Sequence, residues 1–248
     1  MPAVVKYDSF MAPITDSRSC LIVALDLPDA ASALALADCL KDTVQWFKVG
    51  LELFVAAGPG VVNELIRRGH SVFLDLKLYD IPNTVAGAVR SAASLGVQML
   101  TVHASGGPAM LEAARNALAS ISNPPQLLAV TVLTSMDEAQ TQAIGLNRPP
   151  AEQVELLFRM GQSAGINGFV CSPHEVGLLR TLAGPSGILV IPGIRPAGAA
   201  IGDQKRIATP AQALRLGATY LVVGRPITQA PNPAQAAQAI LREMADAC

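Results

Sequence analysis

The sequence predicts an α/β fold, a single-domain (β/α)8 TIM barrel, from three features. Short runs rich in Val, Ile and Leu alternate eight times with longer Ala- and Leu-rich stretches, and Gly, Pro, Asp or Asn marks each switch. The short runs lack apolar/polar alternation, as expected of parallel strands covered on both faces. Leu25-Asp26-Leu27-Pro28 follows the first run, where a doubly wound dinucleotide-binding sheet would usually carry a Gly-rich phosphate fingerprint. The 248 residues also suit one such barrel, which typically takes about 250.

In chain order the expected strands are Leu21–Leu25, Trp46–Val49, Ser71–Leu76, Met99–Val102, Leu127–Val132, Gly168–Val170, Ile188–Ile191 and Tyr220–Val223. Each is a short apolar run bounded by turn residues. The helices expected between them are Ala30–Leu40, Gly60–Arg68, Thr84–Leu95, Pro108–Ala119, Ala151–Ala164, Glu175–Leu182, Pro210–Leu216 and Pro233–Ala247. Asp29, Asn83, Thr209 and Asn232 stand where a short polar side chain can accept from the first free amides of a helix. Two connections exceed a minimal repeat, Leu133–Pro150 and Pro192–Ala208. Loops of that length in a compact domain are usually functional or disordered. The second, with Gly193, Arg195, Gly198, Gly202, Gln204 and Lys205, reads as a mobile polar lid. The organisation expected is an N-terminal extension over residues 1–18 and one barrel over 19–248.

Composition narrows the class. Half the chain is hydrophobic (51%) and only 15% is charged, against roughly 25% in an average soluble chain, enough apolar material for one large core. Eighteen Lys and Arg balance nineteen Asp and Glu, so a net charge of −1 offers no footprint for nucleic acid or an anionic membrane. Cys20, Cys39, Cys171 and Cys248 have no paired spacing and read as buried reduced thiols. Without a signal-type apolar run or a stretch long enough to span a bilayer, the sequence reads as soluble and cytoplasmic.

Active sites of such barrels form at the C-terminal ends of the strands, so polar residues there are candidate chemistry. They are Asp26, Lys48, Asp75, Lys77, Asp80, His103, Thr134, Arg195 and Arg225. Asp75 and Lys77, two apart, share one side of an extended segment, with Lys48 beside them. A lone Asp or Lys is more often a structural ion pair. Charges of both signs converging on one mouth hold one another ionised and present a fixed field to a reacting group. After the seventh and eighth strands come Pro192-Gly193-Ile194-Arg195 and Gly224-Arg225-Pro226-Ile227. In barrels these two loops commonly bind phosphate through backbone amides and an Arg, which implies a phosphorylated small-molecule ligand. His70 and His174 read as capping or surface residues, and His103 either supports the site or is purely structural. No histidine-based metal spacing, nucleophile elbow or P-loop occurs.

The segment from Phe73 to Thr84, FLDLKLYDIPNT, resembles the signature of the orotidine 5′-phosphate decarboxylase family, in its bacterial branch. The likeness runs from Leu25-Asp26 and Phe47-Lys48-Val49-Gly50 through Val132-Leu133-Thr134-Ser135-Met136 to Pro192-Gly193-Ile194-Arg195 and Val223-Gly224-Arg225. Its D-x-K-x-x-D core is shared with sugar-phosphate decarboxylases and aldolases; Ile81-Pro82-Asn83-Thr84, Leu133-Thr134-Ser135 and Gln204 narrow it. The resemblance implies decarboxylation of orotidine 5′-monophosphate to UMP, in de novo pyrimidine biosynthesis, with neither metal nor cofactor. It also implies Lys77 as proton donor, flanked by Asp75 and Lys48, with Asp80 entering from the other subunit of a homodimer. By the same resemblance Asp26 and Lys48 hold ribose hydroxyls, Thr134 meets the pyrimidine edge and Gln204 bridges base and phosphate. Arg225 and the Gly224 amide bind the phosphate, Arg195 lies at the base of the lid, and Thr84 joins the partner's ribose or phosphate contacts. Two rivals stay open: a metal-assisted decarboxylase or aldolase of a ketose phosphate, and a non-catalytic nucleotide-binding barrel.

Overall fold

The computed structural model describes residues 17–196 and 206–247. Eight parallel strands close into a barrel in sequence order: β1 (Leu21–Ala24), β2 (Trp46–Gly50), β3 (Ser71–Leu78), β4 (Met99–His103), β5 (Gln126–Val130), β6 (Gly168–Val170), β7 (Ile188–Ile191) and β8 (Tyr220–Val223). Closure is made where β1 pairs with β2 at Ile22↔Trp46 and with β8 at Leu21↔Leu221. Every expected strand is present. The extension expected over residues 1–18 lies outside the described residues up to position 16, and the polar lid is described only at 192–196 and 206–208, so that Gly198, Gly202, Gln204 and Lys205 lie outside them, as does Cys248.

Helices α1 (Ala30–Leu40), α2 (Leu51–Ala57), α3 (Pro59–Arg67), α4 (Pro82–Ser94), α5 (Gly107–Asn116) and α6 (Glu138–Ala143) cover the first half of the barrel. The second half carries α7 (Pro150–Ser163), α8 (Val176–Ala183), α9 (Pro210–Arg215), α10 (Arg225–Thr228) and α11 (Pro233–Ala245). Asp29, Thr209 and Asn232 each accept an amide hydrogen bond at a helix start, as expected. Asn83 does not. Pro82 occupies the first helical position, where its fixed φ suits the turn, and puts Ile81 at the cap.

Three helices lie in stretches expected to be irregular: α2, α6 and the four-residue α10 in the loop after β8. Gly58, at φ +63, separates α2 from α3 where one helix starting near Gly60 was expected. Within Leu133–Pro150, Asp137 and Gln140 form a reciprocal capping box that starts α6.

The strands divide the apolar residues between two layers. Leu21, Val23, Phe47, Val49, Val72, Leu74, Leu100 and Val102 face the helices in the larger core. Ile22, Ala24, Phe73, Met99, Leu128, Val190, Tyr220 and Val222 fill the inside of the barrel. Cys20 and Cys171 are buried, but Cys39 is exposed, because α1 turns Ala33, Ala37 and Leu40 inward and Cys39 falls off that stripe. No helix among the described residues is long and apolar enough to cross a membrane.

His70 departs from the surface role expected of it. It is buried below β2, with its ring edge-on to Phe47 at a centroid distance of 4.8 Å. Burial holds its pKa below the ordinary imidazole value; Asp38 pulls it back up and Arg68 adds to the depression. The unfolded chain therefore binds more protons as pH falls through about 6.5, and stability present above that pH is lost toward the lower folded value. The denaturation midpoint is expected to drop between pH 7.5 and 5.5, and to drop less in His70→Gln. Urea titrations of both proteins at the two pH values check this, and identical drops would clear His70 of responsibility.

Candidate active site

Period-two alternation in parallel strands turns four columns of side chains into the barrel, and each changes character on the way up. Ile22 and Ala24 lead to Asp26, Trp46 leads to Lys48 and Gly50, Phe73 leads to Asp75, and Met99 leads to Thr101 and His103. The apolar members fill the interior. The polar members, at the C-terminal ends of neighbouring strands, meet above them.

Asp75 is their centre. Its Oδ2 lies 2.9 Å from Lys77 Nζ and 3.6 Å from Lys48 Nζ, and Lys48 Nζ also donates to Asp26 Oδ1 at 2.9 Å. Thr101, fully buried on β4, donates from Oγ1 to Asp75 Oδ1 at 3.0 Å and accepts from the Lys77 amide at 2.8 Å. Burial alone pushes the Asp75 carboxyl upward. Lys48, Lys77 and the hydrogen bonds from Lys77 and Thr101 more than offset it, so the group is held below the ordinary carboxylate range.

The reach of Lys77 toward Asp75 is not the plain extended geometry expected from their spacing. The β3–β4 register shifts between Leu74 and Leu78, and Lys77 takes φ +50, the only positive φ outside glycine among the described residues. A lysine there is conformationally uncommon, and such strain persists where surrounding contacts enforce it.

Gly50 completes the setting. A Cβ at this position would stand 2.7 Å from Lys48 Nζ and 3.0 Å from Asp26 Oδ1, so any side chain would displace the ammonium.

Asp80 is not brought into this array within the chain. It is exposed in the loop after β3, and its Oδ1 accepts from the Ile81 amide at 2.6 Å. On either side Tyr79 and Ile81 are 62% and 67% exposed, and Thr84 is exposed in the first turn of α4. The Tyr79 ring stacks on His103 at 5.5 Å. Burial first, and Lys77 second, keep the His103 pKa below its ordinary value, favouring the neutral ring.

Across the mouth, Gly224 caps the short α10. A Cβ there would lie 3.6 Å from Ala24 Cβ and 3.9 Å from Asp26 Oδ2, which places this turn beside β1. Arg225 follows it and is exposed. Gly193, at φ +77, turns the chain after β7; Arg195 is buried, with its amide on Ala208 O at 2.9 Å and Nη1 on Ile194 O at 2.8 Å. Thr134 is half-buried after β5.

Beneath these loops lies an ion pair the sequence reading missed. Arg206 Nη1 donates to Glu175 Oε1 at 2.6 Å, and Nη2 donates to the carbonyls of Val132 and Leu133 at 3.3 and 3.0 Å. The other Glu175 oxygen accepts from the amide and hydroxyl of Ser172. The pair thus ties the loops after β5, β6 and β7 together. The Ser172–Glu175 spacing was legible as a capping box; Arg206 carried no local signal, and Thr101 only that of a hydroxyl inside an apolar strand. Burial and the Glu175 charge push the Cys171 thiol up, leaving it unsuited to act as a nucleophile.

Residues 19–240 match the family model described as orotidine 5′-phosphate decarboxylase / HUMPS family. The chain is 52% identical to the orotidine 5′-phosphate decarboxylase of Alcanivorax borkumensis over 225 residues, 91% of this chain and 97% of that one. It is 55% identical to the enzyme of the same name from Halorhodospira halophila over 227 residues, 92% of this chain and 96% of that one. Among solved structures, the orotidine 5′-phosphate decarboxylase of Lactobacillus acidophilus superposes with a TM-score of 0.79 at 41% identity, covering 91% of this chain and 98% of that one.

Removing one member of a buried ion pair leaves the other charge uncompensated. Glu175→Ala is therefore expected to destabilise the protein by about 3–5 kcal/mol. Urea unfolding measures it, and a change under about 1 kcal/mol, within the ordinary range for exposed pairs, would show that water solvates Arg206 freely.

Proposed function

This chain belongs to the orotidine 5′-phosphate decarboxylase / HUMPS family, and from that membership we infer its reaction: loss of CO2 from C6 of orotidine 5′-monophosphate to give UMP, a carboxy-lyase step of pyrimidine biosynthesis. The observation that carries the mechanism is the shared carboxylate, Asp75 Oδ2 between Lys77 Nζ at 2.9 Å and Lys48 Nζ at 3.6 Å.

Breaking the C6–carboxylate bond leaves an electron pair in the plane of the pyrimidine ring, where the π-system cannot take it up. In this reading the charge is met by electrostatics. Lys77, held by Asp75, offers a fixed ammonium to the developing carbanion and then transfers a proton to C6, giving UMP. Preorganised charge of this kind needs no reorganisation as the reaction proceeds and is commonly the largest catalytic contribution. Asp75 keeps Lys77 aimed. Its own charge beside the substrate carboxylate would also raise the ground state.

Asp26 and Lys48 are assigned to the ribose hydroxyls, a reading supported by their 2.9 Å bond at the mouth. The phosphate is assigned to Arg225 and the Gly224 amide, with Arg195 at the base of the same loop cluster and Thr134 at the pyrimidine edge. Gln204, outside the described residues, is assigned to base and phosphate by resemblance alone. Binding energy from the remote phosphate would be expressed as rate through the ordering of these loops.

We read the active unit as a homodimer in which Asp80 and Thr84 serve the partner's site. Its support is that Asp80 stands outside its own charge array, in a rim where Tyr79 and Ile81 present exposed apolar surface.

Orotidine 5′-monophosphate incubated with the protein in excess EDTA is expected to convert to UMP, followed by ultraviolet absorbance. No conversion, with magnesium-dependent activity on a ketose phosphate instead, would move the chain to the metal-assisted relatives. Arg225→Ala is expected to lose at least about a hundredfold in kcat/KM, or 2.7 kcal/mol, and an unchanged value would sink the phosphate assignment. Mixing Asp80→Asn with Lys77→Ala protein should restore activity, since a hybrid dimer contains one site with both residues intact. Failure of two well-folded variants to complement would argue for sites built within single chains.

A further inference from the structure

We propose that the Thr101 hydroxyl is a positioning group for the decarboxylation, setting the angle of the Asp75 carboxylate and the backbone of Lys77 through one oxygen. The inference rests on the reaction proposed above and deepens it.

Thr101 Oγ1 has one proton to give and lone pairs to accept with. The proton goes to Asp75 Oδ1 at 3.0 Å, and a lone pair receives the Lys77 amide at 2.8 Å. The residue is completely buried, so water has no route to replace either bond. Asp75 Oδ2, the other carboxylate oxygen, faces Lys77 Nζ. A carboxylate is planar, so holding Oδ1 from β4 fixes where Oδ2 points, and Oδ2 fixes the Lys77 ammonium.

The second bond acts on the other end of the same lysine. Between Leu74 and Leu78 the β3–β4 pairing slips, and Lys77 adopts φ +50. The displaced amide needs an acceptor, because buried backbone N–H groups are almost always paired. A side-chain oxygen from β4 supplies it. Both the root and the tip of Lys77 therefore depend on one buried hydroxyl: its amide directly, its ammonium through Asp75.

Thr101→Val keeps shape and β-propensity while deleting the hydroxyl, and Thr101→Ser keeps the hydroxyl while deleting the methyl. In the full-length protein, Thr101→Val is expected to lose at least about tenfold in kcat, with KM for orotidine 5′-monophosphate within about threefold, since misplacing a reacting group by an ångström can cost up to a hundredfold. Thr101→Ser should stay within about threefold of the parent in kcat. The acid limb of the kcat profile should move to higher pH in Thr101→Val, because the ionised carboxylate loses a donor. The groups facing Asp75 are Lys48 from β2, Lys77 from β3 and Thr101 from β4, with Asp26 behind Lys48 and His103 close to Lys77; the shift must arise among these. Thr219→Val, which removes a buried hydroxyl bonded to Arg180 and the Leu189 amide at the opposite end of the barrel, should lower stability and leave kcat unchanged.

If Thr101→Val does not fold, Thr101→Ser against Thr101→Ala decides: Ser at least about tenfold more active than Ala supports the hydroxyl, and equal activity overturns it. Unchanged kcat and pH profile in folded Thr101→Val overturn the inference alone, provided the parent converts orotidine 5′-monophosphate. A parent without that activity overturns both this inference and the reaction it rests on.

Discussion

A carboxylate buried at the mouth of a barrel stays ionised only if positive charge and hydrogen-bond donors are brought to it, and Asp75 is the point to which this structure brings them. Two ammoniums from β2 and β3 and one hydroxyl from β4 surround it. Losing any of them would weaken the compensation of a buried charge, which costs more than losing an exposed pair. That asymmetry favours keeping all three in place. It also explains the glycine at position 50, where a side chain would occupy the space the Lys48 ammonium needs.

The barrel meets this demand by dividing each inward column in two. Phe73 and Met99 lie low in the interior, so that Asp75 and Thr101 above them stand on an apolar floor and are themselves buried, while Asp26, above Ile22, opens to solvent. Low dielectric strengthens the electrostatics on which the proposed chemistry depends. The same floor sets the depth of the site, because the charged residues sit one or two positions above the last apolar one in each strand.

A second set of constraints holds the loops over that floor. Arg206 and Glu175 form a buried pair that reaches the carbonyls of Val132 and Leu133 just before Thr134, while Arg195 is folded into the base of the loop after β7. The rim around Asp80 is arranged differently: Tyr79 and Ile81 face outward and present exposed apolar surface.

Repetition and composition made the barrel legible, because a parallel strand buried on both faces must be a short apolar run and its crossover must be a helix. The strand-end polar residues were legible for the same reason, and Asp26, Lys48, Asp75 and Lys77 do meet. What local pattern could not supply were relations between distant segments. Spacing said that Asp75 and Lys77 share a side, but only the slipped β3–β4 register shows that Lys77 gets there through a left-handed turn held from β4. Thr101 looked like an ordinary strand residue, His70 like a surface one and Arg206 like part of a lid, because burial is decided by neighbours contributed from elsewhere in the chain. The order of the elements and the chemistry at their ends can be read along the chain; which of those groups touch is settled by folding, since apart from the Asp75–Lys77 pair the partners that set their charge and angle lie 22 to 27 residues apart, from Asp26–Lys48 to Lys48–Asp75.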